Sequence, residues 1–198
     1  MSKDATDLIL AEYSALRSEI EKRCEMRYRL VSYTILLLGT MIALVFRSND
    51  PQPIVLFLFP VFACLLSSLW VHNFRMTMII ANYIIERIEP AFGHDGWEKF
   101  AAEASKKSGR FLINNTFSTA AIFVFTQVTA LLCGLSVKIQ SSSAGLSELH
   151  SLTALEWGWF AIGCVAVVAT VLIHRMPAKY ENRDFHVSRI RTSNVSLN

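Results

Sequence analysis

The sequence predicts an all-α polytopic membrane protein with four transmembrane helices and a small helical cytoplasmic module. Three observations predict it. The 198 residues are 53% apolar and only 18% charged, and the mean hydropathy is +0.37, outside the range of soluble domains. Four long runs lack Asp, Glu, Lys and Arg altogether. Positive charge is concentrated in every second segment between those runs, which is the signature of a chain threaded back and forth through a bilayer.

A hydrocarbon core about 30 Å thick needs roughly 20 helical residues at about 1.5 Å each. The uncharged runs are 30–46, 51–74, 111–137 and 157–173, of 17, 24, 27 and 17 residues. None alternates with the period of a strand, and backbone amides in lipid must find partners within their own segment or in a closed barrel. Each run is therefore read as a helix. The first begins only after 29 polar, charge-dense residues, too long a lead for a cleavable signal, so it is expected to act as an uncleaved anchor.

Lys and Arg number six before the first run, one (Arg47) in the first loop, six in the central segment, one (Lys138) in the outer loop 138–156, and five in the tail. Basic loops resist translocation, so both termini and the central segment are expected in the cytoplasm. Trp157 and Trp159 then fall at the outer interface, and Trp70 and Tyr28 at the inner one.

Residues 1–29 are expected to form an amphipathic helix from about Thr6, capped by Asp4 or Thr6. Arg17 and Glu21, Glu19 and Arg23, and Glu25 and Arg29 are each four apart, the spacing of ion pairs on one helix face. Ile9, Tyr13, Leu16 and Ile20 form a narrow apolar seam. Such a seam suits either the membrane surface and the chain's own central segment, or self-association into an oligomer. The second run has no Gly or Pro from Arg75 to Glu89, and Ile79, Ile80, Tyr83, Ile84 and Ile88 keep a helical stripe, so the helix is expected to continue as a stalk until Pro90. In 90–110 a short helix is expected with Trp97, Phe100, Ala101 and Ala104 on one side. The tail, 174–198, is basic, and its Ser-, Asn- and Thr-rich end is expected to be disordered. Lys106, Lys107, Arg110, Arg183, Arg189 and Arg191 are candidates for contact with lipid headgroups, or with a cytoplasmic nucleotide or single-stranded nucleic acid.

No glycine-rich phosphate loop, His-Glu-x-x-His or Gly-x-Ser-x-Gly occurs, and the five histidines form no ligand-spaced pair. Four cysteines without a Cys-x-x-Cys pair give neither a disulfide framework nor a thiolate zinc site. No enzyme activity, metal or cofactor is expected. The distinctive feature is the third run. Asn115, Thr119, Thr126 and Thr129 lie along one side of it, with Gln127 beside them. Polar groups in lipid are costly, so this side either packs against other helices or lines a water-filled path in an assembly.

Three stretches carry a resemblance: Glu12 to Ile20 (EYSALRSEI), Tyr83 to Pro90 (YIIERIEP) and Gly96-Trp97-Glu98. Together they resemble small four-span bacterial inner-membrane proteins that look like the channel-type membrane effectors of anti-phage systems such as Hailong. The resemblance implies a homo-oligomeric pore in the bacterial inner (plasma) membrane, controlled from the cytoplasm by a nucleotide, a nucleic acid or a soluble partner protein. It supplies no residue-by-residue roles. The rival reading is a non-conducting scaffold that recruits a soluble partner through its cytoplasmic helices, and a third is a tail that binds anionic lipid.

Overall fold

Every described element is helical. The computed structural model describes residues 3–48, 52–92, 115–141 and 153–195, with side chains up to Arg175 in the last stretch. Helix α1 is Lys3–Arg47, α2 is Ile54–Tyr83, α3 is Asn115–Ser141 and α4 is Ala154–Val195. Four helical segments are long and apolar enough to cross a bilayer, namely Thr6–Arg47, Ile54–Ile88, Phe117–Ile139 and Ala154–Arg175. The chain is a multi-pass membrane protein. The large apolar residues that face outward settle the environment of these segments. Leu36, Leu44, Leu65, Phe125, Leu132, Val165 and Val168 are all more than half exposed, and a helix that is apolar outside as well as inside belongs in lipid.

The chain divides into two compact units, one made of residues 1–30 and 72–114, the other of 31–71 and 115–198. In the larger unit the four apolar segments bury their inward faces together. Leu38 of α1, Phe59 and Ala63 of α2 and Ala130 of α3 form one cluster. Val45, Leu56 and Val137 form a second from the same three helices. The pairing of Leu38 with Ala63 and of Val45 with Leu56 is the register of two antiparallel helices joined by a short turn.

Close approach to α2 rests on two glycines. A Cβ at Gly134 of α3 would lie 2.5 Å from the Phe57 ring, and one at Gly163 of α4 would lie 2.9 Å from Leu131 and 3.4 Å from the Phe57 carbonyl oxygen and the Pro60 ring. Phe57 also meets Phe160 edge to face, with ring centroids 5.6 Å apart. Pro60 is buried inside α2, where it cannot donate a backbone hydrogen bond. Such prolines are tolerated in membrane helices when neighbours close around them, and α4 does so here through Gly163.

Helix α4 begins at a reciprocal cap. The Thr153 backbone amide donates to Glu156 Oε2 at 2.8 Å, and the Glu156 amide donates to Thr153 Oγ1 at 3.3 Å. The same carboxylate accepts from Lys138 Nζ of α3 at 3.1 Å, so the basic residue assigned to the outer loop sits within α3 and is paired. At its other end α4 runs to Val195. This departs from the expected disordered tail, and it does so although Pro177 stands inside the helix.

In the smaller unit the polar part of α1 meets the second half of α2. Tyr83 Oη donates to Glu12 Oε1 at 2.8 Å, Arg23 reaches Asn73 Oδ1 at 3.4 Å, and the Arg27 guanidinium lies over the Phe74 ring at 5.4 Å. Glu19 pairs with Arg23 and Glu25 with Arg29, both at 2.6 Å, at the spacing expected from sequence. Arg17 donates to the Tyr13 hydroxyl one turn back. Before Pro90 the helix widens into a π turn, Ile84–Ile88, in which the Glu89 amide donates to the Ile84 carbonyl, and Glu89–Phe92 follows as a 3-10 turn. The helical stalk therefore ends where the proline predicts, and the wider turn buries both Ile84 and Ile88. The expected short helix in 90–110 lies outside the described residues beyond Phe92.

The two glycine contacts set a test. Gly134→Val must displace Phe57 from a filled site and is expected to destabilise the detergent-solubilised protein by about 1–3 kcal/mol, read as a lower thermal midpoint. Gly39→Ala, where an added Cβ meets nothing within 4 Å, is expected to leave that midpoint unchanged.

Candidate functional site

The polar side of α3 points into the larger unit. Gln127 is fully buried, Thr119 and Thr126 are buried, and Thr129 is half-buried. Thr126 returns its hydroxyl to its own helix, donating to the Phe123 carbonyl at 2.9 Å. Asn115 begins the helix, and its side chain lies outside the described residues. Thr129 lies on the rim of this face rather than within it.

Gln127 meets α4. Its Nε2 donates to Thr170 Oγ1 at 2.8 Å, while Thr170 Oγ1 donates to the Ala166 carbonyl at 2.9 Å. The hydroxyl's single proton is committed to Ala166, so Thr170 Oγ1 can only accept from Gln127. That fixes the orientation of the amide and leaves Gln127 Oε1 pointing elsewhere, buried and without a hydrogen-bond partner among the described residues.

One turn further along α4 stands His174, 5% exposed. Its Nδ1 lies 3.0 Å from the Thr170 carbonyl oxygen and 3.3 Å from Ser67 Oγ of α2. A carbonyl can only accept, so Nδ1 carries the proton and the neutral ring presents Nε2 as a bare acceptor. Nε2 is buried and has no partner among the described residues. The ring stacks on Trp70 of α2 with centroids 5.6 Å apart and planes 25° from parallel, and Phe123 of α3 lies 5.9 Å away. Ala166, Thr170 and His174, at steps of four, thus carry a hydrogen-bonded track along α4 that α2 and α3 close. Two bare acceptors remain in it.

Trp70 was expected in the inner aromatic belt, but it is buried against His174. His174 itself escapes a search for ligand-spaced histidines. The signal that finds it is the run Ala166, Thr170, His174 on one helix face, ending at the first residue after an uncharged run.

The other candidate residues separate by position. Ile9, Tyr13, Leu16 and Ile20 are all half-buried on α1. Lys106, Lys107 and Arg110 lie outside the described residues, whereas Arg183, Arg189 and Arg191 lie on the extended α4 with side chains outside the description. Among the described residues no three His, Cys, Asp or Glu side chains group as metal ligands. No family model matches the chain, and no curated protein or solved structure matches it.

Replacing the members of the track separates the bond from its acceptors. Gln127→Leu removes the bare Oε1 and orphans nothing, because Thr170 keeps its bond to Ala166, and it is expected to change stability by less than about 1.5 kcal/mol. Thr170→Val leaves the whole buried amide of Gln127 without its partner and is expected to cost about 1–3 kcal/mol. Thermal unfolding of both variants in one detergent ranks them.

Proposed function

We propose that the protein is a homo-oligomeric ion channel or membrane-disrupting effector of the bacterial inner membrane, with both termini cytoplasmic, controlled from the cytoplasm. The observation that carries this reading is the continuity of α1 and α2. Each runs as one helix from an apolar segment into a polar one, and the polar segments are tied by the Glu12 to Tyr83 and Arg23 to Asn73 hydrogen bonds. A partner that binds the polar ends with different affinity for two arrangements shifts the packing of the spans attached to them. The alternation of basic segments supports the orientation. The charge of the central segment and tail supports a nucleotide or single-stranded nucleic acid as the controlling ligand, with Lys106, Lys107, Arg110, Arg183, Arg189 and Arg191 as its contacts, and the resemblance to Hailong-type effectors supports a role in anti-phage defence.

One observation favours a second reading, the non-conducting scaffold. Thr119, Thr126 and Gln127 are buried within a single chain, as helix packing requires, whereas a pore formed between copies needs polar groups on an outward face.

Flux from liposomes loaded with a potassium-sensitive dye separates the two. A channel releases ions, and Thr126→Leu with Thr129→Leu is expected to lower the flux severalfold while native mass stays oligomeric. A scaffold gives no flux with or without added nucleotide or oligonucleotide, and the double variant then alters only the thermal midpoint.

A further inference from the structure

We propose that His174 is an intramembrane proton-binding site, in which the imidazole takes up a proton at Nε2 and places a positive charge between α2, α3 and α4. The inference is independent of ion conduction.

The cluster is built of acceptors. The Thr170 carbonyl holds the proton of Nδ1, and this leaves the lone pair of His174 Nε2 bare, alongside the bare Oε1 of Gln127 in the same hydrogen-bonded track. Acceptors buried among protein groups that offer them no donor are costly. A proton supplies one. Hydronium transfers its proton to the Nε2 lone pair and leaves as water, and Nε2 changes from acceptor to donor.

Two aromatic faces lie beside the ring. Trp70 lies parallel to it and Phe123 beside it, both within the roughly 6 Å at which an aromatic face attracts a cation. The Thr170 carbonyl oxygen is already aligned on Nδ1. The described contacts of His174 are Ser67 and Trp70 from α2, Phe123 from α3 and Thr170 from α4. None is charged, so none repels the imidazolium or competes for it. The neighbouring Arg175 is exposed. His174 is also the first residue beyond the uncharged run 157–173, at the end of the span where a proton has the shortest route from water. Histidine is the side chain that changes charge within the physiological range, and an ionisable group held between membrane helices marks a functional site.

Trp70 provides the readout, because imidazolium quenches the fluorescence of a stacked indole and neutral imidazole does so far less. In lipid nanodiscs, a protein with Trp97, Trp157 and Trp159 changed to Phe retains Trp70 as its one tryptophan, excited apart from the tyrosines at the red edge of the indole band. Its emission is expected to fall in a single titration between about pH 8 and pH 4, and His174→Gln is expected to abolish that fall. An emission that is flat over this range, or a fall that persists in His174→Gln, overturns the proposal. A second measurement needs no change at His174. In protein whose other four histidines are Gln, the ¹⁵N signals are expected to show the Nδ1–H tautomer at neutral pH and both nitrogens protonated in acid. The Nε2–H tautomer at neutral pH, or a ring that stays neutral to about pH 4, overturns it equally.

Discussion

Hydrocarbon offers a side chain no hydrogen-bond partner, and this constraint arranges the larger unit. Every polar side chain within the spans must find its partner inside the bundle or on its own helix. Thr126 and Thr40 return their hydroxyls to backbone carbonyls three and four residues back, which makes each almost as apolar as a valine to its neighbours. Gln127 has too much hydrogen-bonding capacity for that solution, so it reaches across to Thr170 and fixes α3 against α4. The outward face meanwhile carries leucine, valine and phenylalanine. Within the spans the polar side chains Thr34, Ser67, Thr126, Gln127 and Thr170 are thus buried among apolar ones, while the lipid-facing surface is apolar.

The positions of the spans were legible because charge is so costly in lipid that its absence over 17 or more residues is informative by itself. The helix breaker at Pro90 and the ion pairs of α1 at four-residue spacing were legible for equally local reasons. What was not legible is partnership across helices. Gly134 and Gly163 read as generic small residues until Phe57 and Pro60 are seen against them. Trp70 has the composition of an interfacial anchor, and only the placement of His174 opposite it explains its burial.

The π turn at Ile84–Ile88 belongs with this account. A π turn adds a residue to one helical turn and rotates everything that follows. Here Ile84 and Ile88 are both buried immediately before a proline that ends the hydrogen-bond ladder. Tyr83, the last residue of the regular helix, carries the hydroxyl that bonds Glu12. One of the links between α1 and α2 is therefore made at the final turn before the backbone changes pitch.

Glu156 performs two tasks with one carboxylate, closing the cap of α4 and neutralising Lys138 of α3. The helical hairpin is thereby pinned at its feet by side chains, in addition to the Gln127 to Thr170 bond within it and apart from the connection between its helices. Evolution is free to lengthen or shorten that connection, and an epitope tag spliced into it would leave the two helices aligned as before.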